Sequence, residues 1–240
     1  VVKLRRAIKL GTQVSLIFLL IGRLDLSSAQ SQTVDDVGTW TAIFAQDHIK
    51  GLCEERPLKW WFDGHLRFLD DTNGFHQSLI RPGVGLPLSD DLTAWVGYAW
   101  IHTDPVVGNE FDEHRLWQQT TWSKNRDLAT FALRSRLEQR FMETGDDLGW
   151  RYRQLIRLQR AMPNHPQLSF VTWDEIFFNL NDTDFGARTG FDQNRAFVGF
   201  GWKPHADSRW RTEIGYLHQA INNPLGIDRA NHILSVNFYH

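Results

Sequence analysis

The segment Leu133–Phe141 reads LRSRLEQRF. Arg134, Arg136, Glu138 and Arg140 fall on every second residue, and Leu133, Leu137 and Phe141 fall between them. Successive side chains of a β-strand point to opposite faces, whereas a helix would scatter this pattern around its axis. A chain that repeats the pattern folds as sheet, with one charged face and one apolar face.

The pattern does repeat. Lys59–Phe68 sets Trp60, Phe62, Leu66 and Phe68 against Lys59, Asp63, His65 and Arg67, with Trp61 on the charged side. Trp150–Leu158 sets Tyr152, Ile156 and Leu158 against Arg151, Arg153 and Arg157. Asn194–Trp202 opposes Ala196, Val198, Phe200 and Trp202 to Arg195, Gly199 and Gly201. Arg209–Gln219 opposes Trp210, Ile214 and Tyr216 to Arg211, Glu213 and Gln219. The final stretch opposes Leu234, Val236 and Phe238 to Ser235, Asn237 and Tyr239. Strand-like but ambiguous in facing are Trp40–Gln46, Ser78–Leu88, Leu92–Ile101, Glu113–Trp122 and Leu168–Leu180, around Trp95, Trp117 and Asp174–Glu175. This makes about eleven strands of roughly 8–13 residues, longer than the usual 5–6 or so and close to the 9–11 or so that cross a bilayer.

The first thirty residues are different. A basic start (Lys3, Arg5, Arg6, Lys9) precedes the apolar run Leu10–Gly22, and Ser27 and Ala29 are small residues placed as for cleavage. Residues 1–29 therefore read as a secretory signal peptide, its apolar run too short to span a membrane. Cleavage removes five basic side chains (with Arg23) and Asp25 from totals of 26 basic and 28 acidic, leaving an acidic mature chain. Such a balance excludes a general nucleic-acid binder. The single Cys53 excludes an intrachain disulfide framework and is read as a bystander. Residues 36–240 form one domain.

Connections alternate in length. Short turns at Leu88–Leu92, Ser123–Asp127, Pro163–Gln167 and Lys203–Arg209 separate longer segments at His102–Asp112, Glu143–Gly149, Asn181–Gly190 and Ala220–His232. Short turns at one rim and long loops at the other are the habit of outer-membrane barrels, which hold an even number of strands, so ten or twelve are expected. Aromatics near strand ends (Trp40, Trp122, Trp150, Trp202, Trp210, Tyr239) fit interfacial girdles. The expected fold is all-β: a closed, antiparallel, up-and-down transmembrane β-barrel of 10–12 strands in the bacterial outer membrane. Alternation alone also allows a soluble periplasmic barrel with an apolar pocket.

The stretches GTWTAIF, GHLRF, EHRLWQQ, LRSRLEQRF, WRYRQLIRL, DEIFFNL and QNRAFVGFGW together resemble a bacterial outer-membrane barrel family, the domain-of-unknown-function family "twenty-four ninety". The resemblance runs over nearly the whole mature chain. It implies an exported barrel and carries no known activity or catalytic residue. Such barrels often end on an aromatic read by the insertion machinery. This chain ends on His240, so Phe238 is the candidate signal.

A barrel of this kind turns its charges inward. The candidate lumen network is Arg67, Arg115, Arg134, Arg136, Glu138, Arg140, Arg151, Arg153, Arg157, Glu175, Arg195, Arg211 and Glu213, with Arg81, Asp63 and Glu113 beside it. It reads either as a structural ladder filling a narrow lumen or as a cationic lumen for small anions. The remaining acids concentrate in turns, where solvated loop charge explains them better than divalent-cation sites. The function expected is a narrow or plugged pore, or a membrane scaffold, whose partners are outer-membrane lipids and the insertion machinery, not nucleic acid. The rival is a lipid-modifying enzyme, but no Ser–His pair can be placed on neighbouring strands; Ser169 and His218 remain unconnected. No metal-ligand spacing, phosphate loop or cofactor motif occurs, so no catalytic, metal or cofactor residue is assigned. The glycines of RPGVGLP read as relief of crowding inside a barrel.

Overall fold

A computed structural model describes residues 33–49, 57–70, 74–105, 108–224 and 226–240. The proposed signal segment 1–29 and Cys53 lie outside the described residues. Among the described residues eleven strands follow one another: β1 (Thr33–His48), β2 (Lys59–Leu69), β3 (Gly74–Pro87), β4 (Leu92–Thr103), β5 (Phe111–Arg126), β6 (Ala129–Met142), β7 (Leu148–Met162), β8 (His165–Asn179), β9 (Gly190–Trp202), β10 (Arg211–Ile221) and β11 (Asp228–Tyr239). Each pairs with its chain neighbour, and β1 pairs with β11, closing a barrel.

Closure corrects the expected parity. The strand count is odd, so the first and last strands of the meander run the same way. The β1–β11 pair is therefore parallel, with Thr33 opposite Asp228 and Phe44 opposite Tyr239, whereas every other pair is antiparallel. Residues Thr33–Gly38 form the start of β1. A parallel seam leaves no more free edge than an antiparallel one, so closure itself does not demand an even count. The start of β1 and the end of β11 lie at opposite rims.

The rim holding Tyr239 carries tight turns. Arg126 faces Ala129 across a two-residue turn in which Asp127 has φ 48°, the positive value that such hairpins need. Two connections break the expected alternation: residues 49–58 join β1 to β2 at this turn rim, and only residues 70–73 join β2 to β3 at the opposite rim. The other rim, which holds Thr33, carries the longer loops between β4 and β5, β6 and β7, β8 and β9, and β10 and β11.

The two faces differ sharply. Mid-strand Val96, Leu116, Ile156, Val198 and Leu234 lie on the outer face at 44–60% exposure. Inside, Arg136, Glu138 and Asp63 are each 1% exposed and Glu213 is wholly buried. Two apolar clusters stand on different sectors of the inner wall. Trp40, Val171, Phe197, Leu217 and Ile233 form one, and Leu79, Trp95, Ala99, Ile101 and Trp117 the other. Trp117 packs so closely over β4 that a Cβ at Gly97 would lie 2.2 Å from its ring. Gly83 and Gly85 of RPGVGLP make the same room for Trp117 and Trp95, at 2.5 and 2.4 Å.

These clusters correct the aromatic girdle. Trp40 is buried in the lumen and Tyr239 belongs to the inner wall, while Trp150, Trp202 and Trp210 are on the outside. The ambiguous Trp95 and Trp117 face inward. At Asp174–Glu175, Glu175 is buried and Asp174 is exposed.

Candidate functional site

The inner wall is organised around carboxylates, and four of them, Glu113, Glu138, Glu175 and Glu213, each gather two or more arginines. Strand periodicity supplies the partners: residues two apart on one strand, and residues opposite on the next, meet on the same face. Glu113 accepts from Arg115 Nε and Nη2 at 2.7 and 2.6 Å and from Arg140 Nε at 2.5 Å. Glu138 accepts from Arg151 Nη2 and Arg153 Nη1, both at 2.7 Å, with Arg115 at 3.6 Å and Arg136 at 3.7 Å. Arg153 also reaches Glu175 at 2.8 Å, and Arg134 joins it there at 2.7 Å. Arg157 and Arg211 share Glu213 near the turn rim, Arg211 at 2.8 Å. Asp63 takes Trp61 Nε1 at 2.5 Å, His65 Nε2 at 2.7 Å and Arg81 at 3.3 Å.

Thus the structure joins Arg115, Arg134, Arg136, Glu138, Arg140, Arg151, Arg153, Arg157, Glu175, Arg211 and Glu213 in these inward ion pairs, and sets two candidate residues apart. Among the described residues, Arg67 and Arg195 form no ion pair with a carboxylate. Arg67 donates to Gln77 Oε1 at 2.6 Å and Arg195 Nε donates to Gln193 Oε1 at 3.1 Å. Both guanidinium groups lie over the Trp40 ring, at 4.2 and 5.0 Å from its centroid. Arg195 and Arg153 also lie over Phe177, at 4.7 and 4.4 Å. The aromatic faces offer each guanidinium a weak electrostatic partner that carries no net charge.

This layer divides the lumen. A cavity of about 470 Å³ reaches toward the turn rim past Phe44, Arg157 and Tyr239. One of about 810 Å³ reaches toward the loop rim past Leu69, Phe111 and Ile221. Trp40, Arg67, Arg81, Arg153 and Arg195 line both, so they form the partition. No group of His, Cys, Asp and Glu able to hold a metal ion occurs among the described residues.

The register also places a Ser–His pair on neighbouring strands, contrary to expectation. Ser78 stands opposite His102, and His102 stands opposite Asp112, in one row across β3, β4 and β5. The row is on the outer face, since Thr103 and Ile101 point inward. His102 Nδ1 lies 2.8 Å from Asp112 Oδ1, and its Nε2 lies 3.6 Å from Glu110. The Ser78 hydroxyl makes no hydrogen bond to His102 among the described residues. Sequence alone misses this row because the residues are distant in the chain and meet only through strand register. Ser169 and His218 do not meet: Ser169 is buried in the lumen, and the His218 ring lies tilted beside that of His232, 5.5 Å between centroids.

The model of the family described as protein of unknown function DUF2490 matches residues 37–231. The chain belongs to that family. The match begins in β1 and ends in β11, so the family's shared sequence is the barrel itself. An uncharacterized protein of Methylorubrum extorquens is 35% identical over 165 residues, covering 68% of this chain and 72% of the relative. No solved structure matches the chain.

Proposed function

We propose that this DUF2490 protein is a bacterial outer-membrane barrel, exported by its N-terminal segment, whose lumen is plugged at mid-height. The observation that carries the proposal is the division of faces: isolated aliphatic side chains cover the outer wall, and ionised groups are sequestered inside. Lipid accepts the first and rejects the second. A second feature supports the same environment. Polar side chains on the outer wall satisfy one another across strands rather than reaching out to water. Tyr98 pairs with His114 at 2.5 Å, Tyr216 with His232 at 2.6 Å, and Gln118 with Gln139 at 2.9 and 3.1 Å. The outer carboxylate Asp174 takes two bonds from Asn194, at 3.0 and 3.1 Å. Unpaired polar groups on a lipid-facing wall would cost several kcal/mol each.

The partition makes the barrel a plug or scaffold rather than an open pore. Expression with fractionation, followed by gel mobility with and without boiling, tests the location. Recovery in the outer membrane with heat-modifiable mobility is expected; recovery in osmotic-shock fluid would refute it. In planar bilayers the wild type should stay near baseline current, and the Trp40→Ala, Arg195→Ala double variant should conduct.

The Ser78–His102–Asp112 row favours a second reading, an acyl hydrolase working at the outer wall. There Asp112 would hold the His102 ring; His102 would take the Ser78 proton as the hydroxyl attacks a lipid ester and pass it to the departing lipid alcohol, and water would then cleave the acyl-Ser78 ester to free the acyl chain. The hydroxyl and imidazole must first close on each other. Release of acyl chains from phospholipid or lipopolysaccharide, abolished in Ser78→Ala, would establish this reading; no release by the wild type would dismiss it.

A further inference from the structure

We propose that Arg67 and Arg195 form a binding site for a small oxyanion, a carboxylate or phosphate group, at the floor of the cavity that opens toward the loop rim. The inference does not depend on which membrane or compartment holds the barrel.

The first ground is charge. Elsewhere on the inner wall Glu113, Glu138, Glu175 and Glu213 each gather two or more arginines. Arg67 and Arg195 form no ion pair with a carboxylate among the described residues. Each lies within 5.0 Å of the centroid of one indole, that of Trp40, so the two cations are held near one another. Arg67 is only 8% exposed. Two guanidinium groups gathered on one ring with little water around them repel each other, and an anion held by both lowers that cost.

The second ground is how they are held. A structural arginine in this barrel is fixed by a carboxylate, which also cancels its charge. These two are fixed by neutral amides. Thr103 Oγ1 accepts from Gln77 Nε2 at 2.8 Å, and Gln77 Oε1 accepts from Arg67. Asn231 Nδ2 donates to Gln219 Oε1 at 3.0 Å, Gln219 Nε2 donates to Gln193 Oε1 at 2.6 Å, and that same oxygen accepts from Arg195. Gln193, Gln219 and Asn231 are 3–8% exposed, so these relays are built into the wall. They orient both guanidinium groups without an ion pair; Glu175, opposite Arg195 in the register, is bonded to Arg134 and Arg153. Planar guanidinium forks match the two oxygens of a carboxylate or phosphate.

The third ground is access. Both relays line the larger cavity, whose volume suits a small metabolite. Asp35 and Asp36 line it too, but they lie at the start of β1, roughly 15 Å along the strand from Trp40. Glu113, also in that wall, is already claimed by Arg115 and Arg140.

The test is titration of the purified, detergent-solubilised barrel with inorganic phosphate and, separately, with succinate, followed by calorimetry and tryptophan fluorescence. Saturable binding of either is expected, and which one binds assigns the ligand class. Gln193→Glu and Gln77→Glu put a carboxylate against each arginine without removing it. Each should weaken binding by about tenfold or more while the barrel keeps its heat-modifiable mobility. Arg195→Gln should do the same. Absence of saturable binding by both anions to the wild type would overturn the proposal. So would unchanged affinity in Gln193→Glu and Arg195→Gln.

Discussion

Thr39 of β1 lies opposite Leu234 of β11 in parallel register, inside the seam that closes the barrel. Because both strands run the same way there, the start of β1 shares a rim with the long loops, not with the chain's last residues.

That topology can be read from outside. In a Cys53→Ser background, Asp35→Cys and Asn109→Cys should both react with a membrane-impermeant maleimide on intact cells, and Asn164→Cys should not. An even-stranded arrangement would make position 35 behave like position 164.

The carboxylate Glu138 is 1% exposed and holds Arg151 and Arg153 directly. Glu138→Gln leaves those cations unbalanced in a site with no water to replace the charge. Removing one partner of such a buried pair costs about 3–5 kcal/mol. Urea unfolding in detergent, followed by tryptophan emission, should show a loss of that order. A change within about 0.5 kcal/mol, the range of ordinary surface substitutions, would mean the network contributes little.

Gly97 is needed for room rather than for backbone freedom. A Cβ there would meet Trp117 at 2.2 Å and the Pro82 carbonyl oxygen at 2.4 Å, and the carbonyl cannot swing aside. Gly97→Ala should destabilise by about 1–3 kcal/mol in the same unfolding assay. Gly186→Ala provides a contrast: nothing lies within 4 Å of its Cβ, so any cost there comes from its φ of 93°.

The loop rim carries a carboxylate latch. Asp184 accepts from the backbone N–H of Asp146 at 2.8 Å and of Asp147 at 3.3 Å, tying the β8–β9 loop to the β6–β7 loop. Led by the Asp146 bond, these contacts hold the Asp184 carboxyl below its usual range; the Thr189 backbone N–H does the same for Asp182. A depressed folded-state value means the latch is fully favoured above the unfolded carboxylate value and is lost as pH falls through the folded one. Amide protection at Asp146 and Asp147 should therefore hold from pH 7 to about pH 5 and fall below about pH 4. Asp184→Asn should lose protection at every pH.

Much of this architecture is legible in residue order, for a physical reason. A period of two survives wherever one face is charged and the other aliphatic, so LRSRLEQRF and WRYRQLIRL reveal both the strands and which side chains sit together. The pattern fails where guanidinium groups rest on aromatic rings. Trp40, Trp117 and Phe177 are apolar yet belong to the charged face, because an arginine packed on a ring needs that ring inside. Strand parity misled because an even count describes a common family habit rather than a requirement of closure. The amide relays and the Ser78–His102–Asp112 row were beyond reach for another reason. They join residues on different strands, and only register, shifted by bulges such as that between Arg67 and Phe68, decides who faces whom.

The central claim is that aliphatic side chains of the outer wall touch lipid while the arginine network does not. Nitroxide labels at Val96, Leu116, Ile156, Val198 and Leu234, in protein reconstituted into bilayers, test it most directly. The account predicts strong relaxation by oxygen, which partitions into hydrocarbon, and weak relaxation by a water-soluble nickel chelate at all five sites. Strong relaxation by the nickel chelate at these mid-strand positions would place the outer wall in water and contradict it.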